Sequence, residues 1–454
     1  MKKSLLFISD IAILFGSLLL TLYLRYGQTF SEKLEFHLAP FSLIFIVWLV
    51  VFYISNLYEP ATLRNNIHFY SSLLQAIIIS SVISVIFFYL SPLFNITPKT
   101  NLAIFVAIFT GLEFGTRYGF NSIFEKKFKK SLLIVGLGQQ ALELARFVND
   151  NPQLGYELKY TIDLSLEKLD KGEDEFQKIG IIRGLSELSS IINNEEIDTI
   201  VISPEAYRAQ EIINLFYKSL DKKISFFNLA SFYERLTGKV PLGAINQIWF
   251  LENLSEDRKK AYELTKRVFD TIFAVIIGVP SLVLYPLVAL AIKTSSPGPV
   301  FYKQKRVGQA GKIFEIIKFR TMRKDAEKNT GAVWTAENDP RITGIGNFLR
   351  KTRLDELPQV WNILKGEMSF VGPRAERPEF HVTLQKNVPF YEERYLIRPG
   401  LTGWAQINFR YGSSIKDTAE KLKYDLYYIK NRSLLLDLGI ILKTVRIASQ
   451  QAGR

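Results

Sequence analysis

The sequence predicts a membrane α plus α/β chain in three parts. These are a four-helix transmembrane bundle, an open parallel-sheet α/β module, and a monotopic α/β domain that enters the bilayer by a re-entrant helix. Three observations predict it. Four apolar segments open the chain, each about 20 residues long, enough to cross a hydrocarbon core of ~30 Å as helix. A strand, a glycine turn and a helical pattern then follow from Ser131, with further alternation of strands and helices after them. A fifth long apolar segment, 268–292, is interrupted by prolines and is basic on both flanks.

Composition narrows the function classes. The chain has 454 residues, 57 Lys and Arg against 44 Asp and Glu, and a net charge of +13. That length suits about three domains. With 48% hydrophobic and 22% charged residues it is not a disordered chain. The absence of cysteine excludes a disulfide scaffold, a Cys-ligated zinc site, an iron–sulfur cluster and a thiol nucleophile. The three histidines, His37, His68 and His381, are scattered, which argues against a multi-histidine metal site. Nucleic acid is not expected as a partner, because the basic clusters lie at membrane flanks, where anionic lipid accounts for them.

The first four segments are Leu5–Leu24, Pro40–Tyr58, Tyr70–Leu90 and Leu102–Phe120, within a membrane domain of residues 1–125. Lys2, Lys3, Arg64, Arg117, Lys126 and Lys127 fall on one side, and fewer basic residues on the other, so both ends of the bundle are expected in the cytoplasm. Segment one lacks a small-residue cleavage site and is read as a retained helix. Asp10, Glu113 and Arg117 are ionisable in apolar surroundings. A transport role is one reading of them; a local Glu113–Arg117 pair at i,i+4 spacing is the plainer one.

Residues 131–230 read as the second domain. Ser131–Val135 is strand-like and leads into Gly136-Leu137-Gly138-Gln139-Gln140-Ala141 and a helical pattern through Val148. This is a G-x-G-x-x-A turn of Rossmann type. Leu158–Leu164, Ile197–Ser203 and Ile224–Leu229 are the next strands. Gly136 and Gly138 are candidates for holding a nucleotide phosphate, with Asp163 near a ribose; tight strand–helix packing explains the same glycines without a ligand. Residues 231–260, polar and ending in the charged run Ser255–Lys260, read as a linker.

The third domain, 261–454, begins with Val268–Ile292. Pro280 and Pro286 remove backbone donors and invite a bend. Basic residues on both flanks, among them Arg258, Lys266, Lys293 and Arg306, give neither end a preference for the outside. A helix that enters, breaks near Pro280, Ser281 and Pro286, and returns to the same face satisfies both facts. An ordinary fifth span is the alternative.

The chemistry gathers after it. Asp355 and Glu356 are adjacent acids with Arg350, Lys351 and Arg353 upstream and Arg374, Arg377, Arg394 and Arg398 downstream. Guanidinium groups grip phosphate with two parallel bonds, carboxylates are hard ligands for Mg²⁺, and a carboxylate can attack phosphorus. Arginines, acids and glycine turns together point to phosphoryl chemistry on an anionic substrate. A solvated charged helix with local ion pairs is the bland reading of the Asp-Glu doublet alone.

From about Lys266 onward the chain resembles the bacterial polyprenyl-phosphate phosphoglycosyl transferases, or bacterial sugar transferases. The resemblance rests on KRVFD, YKQKRVG, KIFEIIKFRTM, NDPRIT, LDELPQVWNILKGEMSFVGPR, RPGLTGWAQIN and YDLYYIKNRSLLLD, in that order. The whole chain resembles the long form of the family, and GPRAERPEF is similar to members of exopolysaccharide pathways. The resemblance implies transfer of a phospho-sugar from a cytoplasmic UDP-sugar to a polyprenyl phosphate in the bacterial inner membrane, with release of UMP. Asp355 matches the family nucleophile and Glu356 its partner, both with Mg²⁺. Arg350 and Arg374 match phosphate-holding arginines, and Arg398 is a further candidate. A homodimer is an expectation of the same kind. Two departures stand out: Pro280-Ser281 reverses the usual Ser-Pro, and GPRA carries Ala375 where GPRP is familiar. A membrane nucleotide-sugar dehydratase is the rival enzyme, but it needs a second dinucleotide fingerprint and a Tyr-x-x-x-Lys after Lys260. A non-catalytic scaffold for polysaccharide assembly is the rival of another class. Nothing in the sequence selects the sugar.

Overall fold

The computed structural model describes residues 2–90, 99–126, 129–136, 138–163, 180–183, 185–194, 197–254, 259–326, 331, 339–409, 412 and 414–449. Of the residues singled out from the sequence, Lys127, Leu137, Leu164, Ser255–Arg258 and Asn338 lie outside the described residues. The chain divides into two compact units, Met1–Leu229 and Ala230–Arg454.

Unit one opens with α1 (Lys2–Tyr26), α2 (Phe30–Ile54), α3 (Ile67–Leu90) and α4 (Lys99–Lys126). The stretches 2–54 and 67–90 are long and apolar enough to cross a membrane. The four helices share one apolar core that includes Leu14, Phe45, Leu73 and Phe109. Aromatic edges lock it: Trp48 and Phe109 meet nearly perpendicular at 4.9 Å, and the Trp48 indole donates to Ser84 Oγ at 2.9 Å. The Glu113–Arg117 pair forms at 2.6 Å, and Asp10 joins it from α1, accepting from Arg117 Nη2 at 2.6 Å and from Tyr58 at 2.7 Å. All three charges are buried. Asp10 and Glu113 each answer the Arg117 charge, so the cluster ties α1, α4 and the chain after α2.

The α/β module follows: β1 (Lys130–Val135), α5 (Gln139–Asp150), β2 (Tyr156–Asp163), β3 (Gly180–Arg183), α6 (Leu185–Asn194), β4 (Thr199–Ile202), α7 (Gln210–Lys218) and β5 (Ser225–Asn228). The sheet is parallel throughout in the order β3-β2-β1-β4-β5. β1 and β4 are buried on both faces, as their unbroken apolar runs require. The GIIR strand β3 was not among the expected strands. Lys2 Nζ donates to Gln153 O at 3.0 Å, and Gln153 Nε2 to Ala61 O at 2.8 Å. The N-terminus and the α2–α3 connection thus meet the module at one end of the helices.

Unit two holds α8 (Leu229–Thr237), α9 (Gln247–Asn253), α10 (Lys260–Ser295), β6 (Phe301–Val307), β7 (Ile313–Phe319), α11 (Gly344–Thr352), a 3₁₀ helix Leu354–Gln359, α12 (Val360–Lys365), β8 (Ser369–Val371), α13 (Pro378–Asn387), β9 (Gly400–Thr402), α14 (Trp404–Asn408), α15 (Ile415–Asn431) and α16 (Leu434–Ser449). The stretch 231–254, read as linker from its polarity, folds into this unit. Val240 and Trp249 sit in its core, Val240 N donates to Lys423 O at 2.9 Å, and Lys430 pairs with Glu234 at 2.7 Å.

α10 is one helix of 36 residues that runs through Pro280, Ser281 and Pro286, so the expected break does not divide it. Ser281 Oγ donates to the Gly278 carbonyl at 2.7 Å. The helix packs on the unit along its length. Arg267 donates to the Ile363 and Leu364 carbonyls at 2.6 and 2.7 Å, Asp270 accepts from Phe370 N at 3.1 Å, and Ile292 is buried with Phe319 and Leu349. Its other face exposes Val268, Ile276, Val283, Leu287 and Leu290. It too is long and apolar enough to cross a membrane.

Candidate active site

The acidic pair is built by a helix end. Thr343 caps α11, its hydroxyl accepting from Gly346 N at 3.0 Å. α11 lies so close to β7's exit that a methyl at Gly346 would meet Thr321 O at 1.9 Å. The helix stops at Arg353, which adopts a left-handed conformation with φ 59°. The chain reverses there into the 3₁₀ helix and turns Asp355 and Glu356 inward, where they are 7% and 8% exposed.

Cations surround Glu356. Lys318, on β7, donates to its Oε1 at 3.0 Å, Arg374 Nη2 donates to the same oxygen at 3.1 Å, and Arg353 stands 4.0 Å from Oε2. Burial alone works against the charge, but Lys318, Arg374 and Arg353 together outweigh it and hold this carboxyl below the usual carboxylate range. Asp355 differs. Burial and the neighbouring Glu356 charge push its carboxyl up to about 6, against the pull of Lys318, Arg350 and Arg353. Its Oδ1 is buried and has no hydrogen-bond partner among the described residues. One acid is thus fixed as a carboxylate by ion pairs, and the other is half-ionised near pH 6 with an oxygen to spare. Such a split between neighbouring acids is characteristic of sites that use one of them chemically.

The arginines separate by role. Arg350 donates from Nε to Thr321 Oγ1 at 2.9 Å. Arg374 keeps 41% of its side chain exposed while holding Glu356. Arg398 lies beside Arg374's segment, because β8 pairs in parallel with β9 and Arg374 bridges to Gly400. These two backbones touch: a methyl at Gly400 would meet Gly372 N at 2.1 Å. Arg398's guanidinium has no carboxylate partner among the described residues. Arg394 is buried elsewhere, pairing with Asp425 at 3.0 Å and donating to the Arg374 carbonyl at 3.0 Å. It holds the loop that presents Arg374. Arg377 pairs with Glu379.

Two residues of the site escaped the sequence reading. Lys318 lies inside the KIFEIIKFRTM run; its signal is the alternation that sets it on the same strand face as Phe314 and the buried Ile316. Asn362, fully buried, donates to Glu315 O and Glu367 Oε2 at 2.7 Å each and accepts from Ile317 N at 3.2 Å. It clamps α12 to β7 and so keeps Lys318 opposite Glu356. No pattern in the sequence marks it.

Gly136 and Gly138 lie at the β1–α5 turn of unit one, where the sheet order reverses between β1 and β4. Gly136 has φ 97°, and a methyl there would meet Ser203 Oγ at 1.8 Å. A methyl at Gly138 would meet Glu205 Oε1 at 3.4 Å. A carboxylate therefore stands over the turn on which a nucleotide phosphate would lie. Asp163 is buried at the end of β2.

The profile described as "Bacterial sugar transferase" matches residues 261–451. A UDP-glucose:undecaprenyl-phosphate glucose-1-phosphate transferase of Xanthomonas campestris pv. campestris is 31% identical over 335 residues, 70% of this chain and 67% of that protein. The chain belongs to the bacterial sugar transferase family. A UDP-N-acetylgalactosamine-undecaprenyl-phosphate N-acetylgalactosaminephosphotransferase of Aeromonas hydrophila is 40% identical over 49% of this chain, which spans about half of that relative's length, 52%. The exopolysaccharide production protein PSS of Rhizobium leguminosarum bv. phaseoli is 40% identical over 41% of this chain and 92% of its own length. For this sugar transferase family member the match to the short Rhizobium protein covers 192 residues.

Proposed function

We propose that the protein transfers a sugar 1-phosphate from a UDP-sugar to a polyprenyl phosphate, undecaprenyl phosphate being the natural choice, and releases UMP. The product would open the synthesis of an exopolysaccharide or related glycan. The observation that carries this reading is the buried Asp355–Glu356 pair with its two carboxylates in different electrostatic states. Asp355 attacks the β-phosphorus of the UDP-sugar. The bond from that phosphorus to the oxygen bridging the two phosphates breaks, and UMP leaves with the electron pair. A phosphate oxygen of the lipid then attacks the aspartyl phospho-sugar and restores Asp355. The sugar's anomeric C–O bond stays intact, so its configuration is retained.

Glu356 organises cations rather than competing as nucleophile. Arg374 and Arg353, each ion-paired on one side and partly exposed, have donors left for the diphosphate, with Arg350 and Arg398 beside them. Their charge offsets the repulsion between an attacking carboxylate and an anionic substrate. Mg²⁺ belongs to the reading. No cluster of three or more His, Asp or Glu side chains occurs among the described residues, which suits an ion held by one or two carboxylates and by substrate phosphates. The unpartnered Asp355 Oδ1 and the loosely paired Glu356 Oε2 are the oxygens to hold it, and it would supply charge neutralisation at the diphosphate.

In the same reading α1–α4 cross the bacterial inner membrane, and unit two works on the cytoplasmic face as a homodimer. α10 bends at Pro280 and Pro286 without ending there, and so dips into the bilayer and returns without crossing. Its docking against the unit from Arg267 to Ile292 supports this, since a crossing helix commits about 20 residues to hydrocarbon.

The test is UMP release from a panel of UDP-sugars by nanodisc-held protein with Mg²⁺, with and without undecaprenyl phosphate. Lipid-dependent release for one donor, lost in Asp355→Asn, is expected. Polysaccharide output unaffected by Asp355→Asn in cells would favour a scaffold and overturn the reading.

A further inference from the structure

Arg374 meets Glu356 Oε1 at 3.1 Å while 41% of its side chain stays exposed. Packing around the side chain therefore does little to place it, and its backbone carries that task. Pro373 O accepts from Gly400 N at 2.9 Å, and Arg374 O from Arg394 Nη2 at 3.0 Å. Ala375 O accepts from Arg306 Nη1 at 3.0 Å, and Glu376 O from Val307 N at 2.9 Å. Four consecutive carbonyls are thus held, by donors from β9, from the turn that precedes it, and from β6.

Arg306 is the unexpected donor, since the sequence sets it among the basic residues that flank α10. On β6 it stands opposite Phe314, so it shares a strand face with Lys318. Its Nη2 donates to Gln304 Oε1 at 2.6 Å, and Gln304 Nε2 donates to the Tyr302 hydroxyl at 3.1 Å. Side chains two residues apart along the strand thus aim the guanidinium at the 373–376 segment. Both of its bonds go to neutral oxygens, and its Nε is buried with no partner among the described residues. Burial works against its charge, Glu376 favours it, and the Arg374 and Arg377 guanidiniums oppose it. A cation facing water or lipid headgroups meets none of these costs.

We propose that Arg306 is a positioning residue for the transfer: by holding the Ala375 carbonyl, it fixes the backbone from which Arg374 reaches Glu356 and the diphosphate. The inference rests on the reaction proposed above and adds how the phosphate-binding arginine is kept in place. Arg394 and Val307 hold the carbonyls on either side. Loss of Arg306 therefore loosens the middle of the segment and leaves the surrounding fold in place. A misplacement of about 1 Å can cost about a hundredfold in rate, so one loosened carbonyl is enough to be measured.

The test is a double-mutant cycle on the full chain in nanodiscs, read as the single-turnover rate of UMP release without lipid. Arg306→Met is expected to slow release about tenfold in the wild-type background. In an Arg374→Met background it should cost less than about twofold, because the group it positions is gone. Arg306→Lys keeps the charge and a donor for Ala375, and replaces the methionine variant if that does not fold; its loss is expected at about threefold, with the same non-additivity. Equal losses in the two backgrounds, or Arg306→Met within about twofold of wild type, overturn the inference. A wild-type protein that releases no UMP overturns the reaction instead. In that case, or if Arg374→Met leaves no rate to compare, hydrogen–deuterium exchange decides. Faster amide exchange across 372–377 in the Arg306 variant, with α15 unchanged, supports the positioning role. Unchanged exchange there, or an equal rise throughout the unit, overturns it.

Discussion

Asp355→Asn is expected to make the protein more stable while removing its activity. Asp355 carries a carboxyl raised from 3.8 to about 6 by burial and by Glu356. A raised folded-state pKa means that the folded protein binds this proton more tightly than the unfolded chain does. The ionised form therefore costs stability, fully above pH ~6 and not at all below ~4, where both states are protonated. A difference of about two pK units corresponds to ~3 kcal/mol at pH 8. Asparagine keeps the shape and removes the charge. For a unit of this size ~3 kcal/mol is a rise of about 6–12 °C in unfolding midpoint. Four of the five tryptophans lie after residue 240, so intrinsic fluorescence reports on this unit. Melting wild type and variant in detergent from pH 4 to pH 8 is the assay. The gap should open as pH rises through 6. A variant no more stable than wild type at pH 8, or a gap independent of pH, would refute the electrostatic account of Asp355.

Three further outcomes follow from the same contacts. Without Mg²⁺, the Asp355 carboxyl should titrate near 6 in infrared difference spectra, and Glu356→Gln should move it to lower pH, because Glu356 is a cause of the raised value; a shift upward contradicts this. Arg394→Met should destabilise unit two by about 3–5 kcal/mol by leaving Asp425 buried and unpaired, read as a fall in unfolding midpoint, and Asp425→Asn added to it should recover part of the loss. The β1–α5 turn should not take NADH in fluorescence titration, because Glu205 opposes the phosphates, and Glu205→Ala is the variant that would gain binding; saturable binding to wild type would contradict the argument.

What was legible in the sequence depended on how far apart in the chain the cooperating residues lie. The Asp355–Glu356 doublet among arginines stands within about 20 residues, and its density of charge is visible along the chain. The parallel sheet announces itself by apolar runs such as SLLIV and TIVI, because strands buried on both faces must be apolar throughout. The Lys318–Glu356 pair depends on the β6–β7 hairpin and on Asn362, contacts that only the folded register creates. Arg394 and Arg374 look alike in sequence, yet one supports the backbone of the other. The polar stretch 231–254 hides Val240 and Trp249, two apolar anchors too sparse to form a periodic pattern. Pro280 and Pro286 each take one donor away, from the Ile276 and Leu282 carbonyls, a loss that the remaining bonds of a 36-residue helix carry without ending it.

The central claim is that Asp355 becomes covalently bonded to the phospho-sugar. Its most direct test is intact-protein mass spectrometry after acid quench of the protein with UDP-sugar and Mg²⁺ and no lipid, followed by peptide mapping. The account predicts one added sugar phosphate per chain on the peptide holding Asp355, absent in Asp355→Asn and discharged by undecaprenyl phosphate. Lipid-dependent transfer that proceeds with no adduct, or an adduct that persists in Asp355→Asn, would contradict it.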